Sequence, residues 1–399
     1  GNGAFDANGF DLTINRAMIN NGSFNASGDN SNNQTTIFAA SQPSAITGSG
    51  TSNFWNFSKS GNSTLTLDVD VTVGNNATIS SGVLNTNTFA FNVQKDLQHD
   101  AAHVSDAAGP GIVMNGSERQ NLDRSAVGLS SFGVLTIDNP SGVIIQDTEE
   151  NFEINQKLVL SSGVFDISGN LLTLNSNAVV ENGSGGTGIN DFSALNMIQT
   201  NSSIIDFGVR KVFNAVDQAS DPQETFVFPV GLFVYTPAEI TIDNISSGQI
   251  SVRPVADTPP VSEDSEGGCG DPEIVDEDNV LQYYWIVKSN GISDFIGEID
   301  LYYNDSDVSA TNGYDISNYG AARLYNAELS WDKNYDDLSV DESNNMISFS
   351  FLSPGNDDSG LEGIYTAGVI KNGGSVPLCG GGAIPDLIPV YETLTTSAT

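Results

Sequence analysis

Apolar and polar residues alternate in short runs through the first half of the chain. Phe10-Asp11-Leu12-Thr13-Ile14, Leu65-Thr66-Leu67-Asp68-Val69-Asp70-Val71-Thr72-Val73 and Leu171-Leu172-Thr173-Leu174 follow the period-two rhythm of strands with one buried face. Between such runs lie turn formers, among them Asn20-Asn21-Gly22, Gly74-Asn75-Asn76 and Ser168-Gly169-Asn170. One phrase recurs: Gly3-Ala4-Phe5-Asp6, Gly22-Ser23-Phe24-Asn25, Gly82-Val83-Leu84-Asn85 and Gly163-Val164-Phe165-Asp166. Its starting points are separated by 19, 60 and 81 residues, close to multiples of twenty. A period of that length marks a solenoid, in which each coil buries its apolar face against its neighbours. The phrase predicts a glycine at a tight corner with positive φ and an apolar side chain pointing inward. Its Asn or Asp is expected to bond the next corner or its equivalent one coil away.

Residues 1–205 are therefore expected to form a right-handed parallel β-helix, with hairpin-linked sandwiches as the alternative. The segment 101–131 breaks the rhythm and predicts a coil with a loop or lateral excursion, before the pattern resumes at Phe132. Near residue 206 the pattern changes to well-separated strands with Pro at their ends, such as Phe226-Val227-Phe228-Pro229 and Gln249-Ile250-Ser251-Val252-Arg253-Pro254. The predicted organisation is β-sandwich strands over 206–262, an acidic linker over 263–279 and a β-sandwich over 280–372. Trp285 and Trp331 are expected in its core or at a sheet edge. A Gly-rich linker and an extended tail follow over 373–399. The fold class is all-β: a parallel solenoid followed by one or more β-sandwich modules.

Composition narrows the function. Of 399 residues 50 are acidic and 13 basic, a net charge of −37, which repels nucleic acid and anionic membrane. No apolar run is long enough to insert in a membrane. The opening Gly1-Asn2-Gly3, without Met or signal peptide, reads as the processed or excised part of an exported precursor. In an oxidising compartment Cys269 and Cys379 would close a loop of about 110 residues, a disulfide contributing roughly 4–5 kcal/mol.

The phrases around Gly163 and Leu171, together with Phe228-Pro229-Val230-Gly231, Tyr235-Thr236-Pro237-Ala238 and the Tyr284-Trp285 strand, resemble Bacteroidetes-type cell-surface proteins with β-helical repeats. That resemblance implies export by the type IX secretion route and a role as an adhesin, gliding-associated protein or extracellular fibre. The C-terminal sorting domain of such cargo is not recognisable after Gly380.

Candidate chemistry is sparse, and no enzyme is expected. A β-helical polysaccharide lyase or hydrolase needs paired carboxylates, or carboxylates beside a basic residue. Asp68 and Asp70 alternate with valines and read as ordinary solvent-facing residues. His99-Asp100-Ala101-Ala102-His103 would set two imidazoles on one helical turn, a spacing that can bind a metal. It has no third ligand, so a surface turn is expected. Oxygen-rich loops at Asp305, Asp307 and Asp315 and at Asp357 and Asp358 suit Ca²⁺. The leading expectation is an extracellular fibre subunit whose partner is another copy of itself, joined head to tail. The tail residues Ile384, Leu387, Ile388, Val390, Tyr391 and Leu394 would add a strand to a neighbour. The alternatives are a surface adhesin binding glycans through aromatic residues such as Trp55 or Trp331 and, ranked below it, a β-helical polysaccharide lyase or hydrolase.

Overall fold

In the computed structural model the described residues are 9–25, 34–124, 130–146, 151–202, 207–259, 278–311, 313–324, 331–332, 339–356 and 358–369. The fold is all-β, with 55% strand and a parallel solenoid of about seven turns.

A typical coil holds three short strands. The first is Leu12–Ile14, Met18–Ile19 and Ser23–Asn25; a later one is Ala77–Ile79, Val83–Asn85 and Ala90–Val93. Strand k of one coil pairs in parallel with strand k of the next. In one ten-stranded sheet the inward row runs Leu12, Thr36, Phe57, Ala77, Leu97, Leu122, Ile145. That row is apolar except at Thr36, whereas the row beside it alternates apolar and polar, Phe38, Lys59, Ile79, His99. Phe57 sits at the centre of one aromatic group, its ring 5.1 Å from Phe38, 5.5 Å from Phe54 and 4.9 Å from Phe91.

Corners follow the repeat phrase in part. Gly82 and Gly163 have φ of +69° and +85°. Asn85 and Asp166 accept from the amides of Asn87 and Ser168 two residues on, an Asx turn at the next corner of the same coil. The links between coils come from a different set. Asp11 accepts from the amide of Thr35, Asn56 from Asn76, Asn76 from Asp96, and Asp96 from Asn121. Asp70 accepts from the amide of Ala90 in the same way. It is thus a coil-to-coil tie as well as an outward carboxylate.

Over its described part the segment 101–131 is a coil, as expected, and residues 125–129, where a loop was expected to leave it, lie outside the described residues. Ala102–Val104, Gly111–Met114 and Gln120–Asp123 are regular coil strands. Two long strands, Ser130–Asp138 and Asn151–Ser162, then each run along two faces without a break. Asn151–Ser162 pairs first with Leu171–Leu174 and then with Val179–Asn182.

The change of pattern near 206 marks a change of strand direction. Gly208–Phe213 lies parallel to Leu171–Leu174 on one side and antiparallel to Gly248–Val255 on the other. The antiparallel run continues through Tyr284–Asn290, Gly363–Val369 and Tyr319–Leu324 to Trp331–Asp332. A separate five-stranded antiparallel sheet is ordered Glu224–Phe228, Ala238–Asn244, Phe295–Tyr302, Met346–Asn356, Ser339–Asp341. The two sheets meet where Phe349 packs on Tyr365 at 4.8 Å between ring centres. Trp285, fully buried, donates its Nε1–H to the carbonyl of Thr236. Strands from 206–262 and from 280–372 share both sheets, so the acidic stretch connects adjacent strands Gly248–Val255 and Tyr284–Asn290. Among the described residues no helix is long and apolar enough to cross a membrane.

Candidate functional site

The densest group of perturbed acids lies on the five-stranded sheet. Alternation along Ala238–Asn244 and Phe295–Tyr302 turns Ile240, Ile299 and Leu301 into the core. The intervening Glu239, Glu298, Asp300 and Tyr302 therefore face the other way. The register sets Glu239 directly opposite Asp300, and Thr241 opposite Glu298. Directly opposed residues have Cβ atoms about 5 Å apart, so the Glu239 and Asp300 carboxyls repel one another. Burial, then Asp300, raises Glu239 above the usual carboxylate range. Asp300 is likewise raised by burial, against a hydrogen bond donated by the Ser348 hydroxyl. Tyr302 is pushed up to about 12 by burial and by the neighbouring carboxylates. Tyr235 closes the group, its hydroxyl donating to the carbonyl of Ile189 at 2.9 Å and its phenol raised by burial, Tyr302, Glu239 and Asp191.

Ionised carboxylates accept hydrogen bonds and donate none. The face therefore suits donor-rich groups, hydroxyls or cations, and rejects anions. Replacing Asp300 with Asn should raise thermal stability at pH 7, because it removes the repulsion while leaving an acceptor for Ser348. Carboxyls with raised folded values contribute stability below their unfolded values and lose it as pH rises through the folded ones. The gain of Asp300→Asn should thus vanish near pH 3, which melting curves at the two pH values would check.

The other predicted site residues are dispersed. Asp305 accepts from Asn345 at 2.8 Å, Asp307 accepts from the Asn304 amide at 3.0 Å, and Asp315 caps a short 3₁₀ turn through Ser317. These are loop-closing roles, and among the described residues no group of three His, Cys, Asp or Glu is placed to hold a metal. Asp357 lies outside the described residues. Asp358 begins a four-residue helix, Asp358–Leu361. Cys269, Cys379 and the whole of Ile384–Leu394 also lie outside the described residues. Trp55 is half-buried against Gly74 and is not an open platform.

His99 and His103 overturn the surface-turn expectation. They sit on two different strands, Leu97–His99 and Ala102–Val104, and both are fully buried inside the solenoid. Buried cations were also missed. Lys59, Lys211, Arg253 and Arg323 are enclosed, leaving a surface even more anionic than the net charge implies. Lys59 donates to the carbonyls of Gly61 and Ser81 at a coil corner.

The two ends of the solenoid differ. At the far end, Gly208–Phe213 is covered by the antiparallel strand Gly248–Val255, and Val230–Gly231 is covered by a tight return at Tyr235 and Thr236. At the near end, no described strand pairs with the outer edges of Leu12–Ile14, Met18–Ile19 and Ser23–Asn25. That coil also exposes Phe10 (73%) and Ile19 (71%).

Comparison with known proteins finds no matching family model, no matching curated protein and no matching solved structure.

Proposed function

We propose that the chain is an extracellular structural protein, a subunit of a surface fibre assembled head to tail. In this reading its two antiparallel sheets form a β-sandwich that finishes the solenoid at one end. The observation that carries the reading is the unequal pair of ends. One is sealed by antiparallel strands, whereas the other offers three parallel strand edges and two exposed apolar side chains with no described strand against them. Bare edges of this kind recruit strands. The apolar, sparsely charged tail 384–399 of a neighbouring copy is the proposed donor. A contact between unlike surfaces does not close on itself, so it propagates as a filament. The resemblance to repeat-bearing surface proteins and the strongly acidic composition support an extracellular setting, with no catalytic role.

Electron microscopy of the purified chain tests this. Filaments are expected from the intact chain, whereas Ile19→Lys and deletion of 384–399 should each leave monomers. An intact chain that stays monomeric at high concentration sinks the proposal. Filaments that survive the deletion reject the tail as donor but keep the edge as the contact.

The acceptor-rich face around Tyr302 favours a second reading, an adhesin for neutral glycans. Binding on a glycan array that disappears in Tyr302→Ala would support it.

A further inference from the structure

The solenoid interior contains a pair of imidazoles that only their neutral forms fit. The chain turns a corner at Asp100-Ala101, so that His99 and His103 enter one coil from two sheets. Both are fully enclosed. Phe132 of the following coil stacks on His99 at 4.4 Å and stands edge-on to His103 at 6.4 Å. His103 uses both nitrogens. The Gly133 amide donates to its Nδ1 at 3.3 Å, which leaves the ring proton on Nε2, 3.0 Å from the Thr86 hydroxyl oxygen. A second proton on Nδ1 would oppose one donor to another. His99 Nδ1 lies 2.8 Å from the Ser130 hydroxyl oxygen, while its Nε2 is buried without any hydrogen-bond partner. A proton there would place a charge in an apolar interior with nothing to accept it.

The surroundings offer little compensation. Asp100, next along the chain, favours the imidazolium of His99, and His99 disfavours that of His103. The coil before contributes Ile79, Leu84 and Thr86, with no charge. Lys59, one coil further back in the same inward row, is a cation. The coil after contributes Ser130, Phe132 and Gly133, and Asp123 stands beside Gln98 on the adjoining strand.

The histidines also hold a thin seam. Between Ala102–Val104 and the next coil the ladder reduces to the pair Ala102 and Ser131. The Gly133–His103 and Ser130–His99 hydrogen bonds share the connection with the Ser131 amide to the Ala101 carbonyl at 3.4 Å and the Val134 amide to the Ser105 hydroxyl at 2.8 Å. We infer that this coil is an acid-operated joint: protonation of His99 and His103 parts the seam between residues 97–104 and 130–133 while the flanking coils remain paired. The full chain would then bend or open at a fixed point when its surroundings acidify, independently of how its ends assemble.

The sign follows from linkage. Burial depresses both imidazoles, so their neutral packing is fully stabilising above the unfolded value near 6.5 and is lost progressively as pH falls below it. One depressed histidine lowers local protection by about tenfold per pH unit, and two by up to about a hundredfold. Hydrogen exchange on the full chain, read at pH 7 and pH 5 and corrected for intrinsic rates, tests this. Protection in peptides covering 97–104 and 130–137 should fall at pH 5, while 64–79 and 151–174 keep theirs. The double variant His99→Phe, His103→Leu should lose that pH dependence. A uniform loss along the solenoid, or an unchanged dependence in the double variant, overturns the joint. Should the double variant not fold, nitrogen NMR of the wild-type imidazoles decides. Neutral rings at pH 5.5, with His103 protonated on Nε2, support the inference, and ordinary titration near 6.5 overturns it.

Discussion

Gly163→Ala is expected to lower stability by about 2–5 kcal/mol, enough to consume much of the margin of an ordinary domain. The residue has φ of +85°, and a Cβ added there would stand 1.7 Å from the carbonyl oxygen of Asn139. A left-handed conformation costs an alanine roughly 1–2 kcal/mol. Relieving the overlap adds about 1–3 kcal/mol, because the obstacle is backbone. That carbonyl cannot simply retreat, since it accepts the amide of Gly142 at 2.8 Å and so closes the preceding corner. Gly22→Ala is the control. It holds the same place in the repeat phrase, but its φ is not positive and nothing lies within 4 Å of its added Cβ. Urea midpoints of the two variants should therefore separate widely, with Gly22→Ala close to wild type. Equal midpoints would mean that position 163 relaxes freely and that the corner is not the constraint described.

That contrast shows how far the sequence could be read. A period near twenty announced the solenoid because stacked coils repeat their corners and most inward apolar positions at that interval. The phrase also located the corners at Gly82 and Gly163. It could not distinguish Gly22, because a glycine tolerates either sign of φ and its identity does not report which one is used. The Asn and Asp of the phrase are expected to bond the next corner or stack one coil away; Asn85 and Asp166 take the first role, closing the turn that follows them, while Asp11, Asn56, Asn76 and Asp96 carry the ladder. Either role uses the same oxygen, and the offset between coils decides. The histidines were misplaced for a related reason: a spacing of four was read on a helix, whereas the chain bends between them. Alternation along 295–302 was visible. The partner of Asp300 was not, because Glu239 lies far back in the chain and register between distant strands leaves no local trace. The same limit hid the pairing of Gly248–Val255 with Tyr284–Asn290 across the acidic stretch.

Lys211 tests whether the solenoid and the antiparallel sheets are joined where strand direction changes. It stands opposite Leu174 on the parallel side and Ile250 on the antiparallel side. Its buried ammonium donates to the carbonyls of Asn175 at 2.9 Å and Ser176 at 2.7 Å, and lies 5.4 Å and 5.7 Å from the ring centres of Phe226 and Phe213. Lys211→Met retains the stem but strands both carbonyls. Each unsatisfied group costs about 1–3 kcal/mol, offset in part because an enclosed cation no longer has to be desolvated. A net loss of about 2 kcal/mol is expected, rising to about 4 kcal/mol for Lys211→Ala, which also leaves a cavity. The pH dependence separates this role from simple space-filling. Burial pushes the amine down to about 8 against the opposing pull of Glu224, while the unfolded chain holds its proton to about 10.4. The unfolded state therefore binds more protons as pH rises above 8, and wild-type stability should climb from pH 8 to 9.5. Lys211→Met should lose the part of the climb that Lys211 supplies, keeping only what Lys59 and Lys288, also lowered by burial, contribute. If its urea midpoint equals that of wild type at pH 7 and follows the same pH course, the carbonyls are satisfied without the amine and the junction is held by its apolar contacts alone.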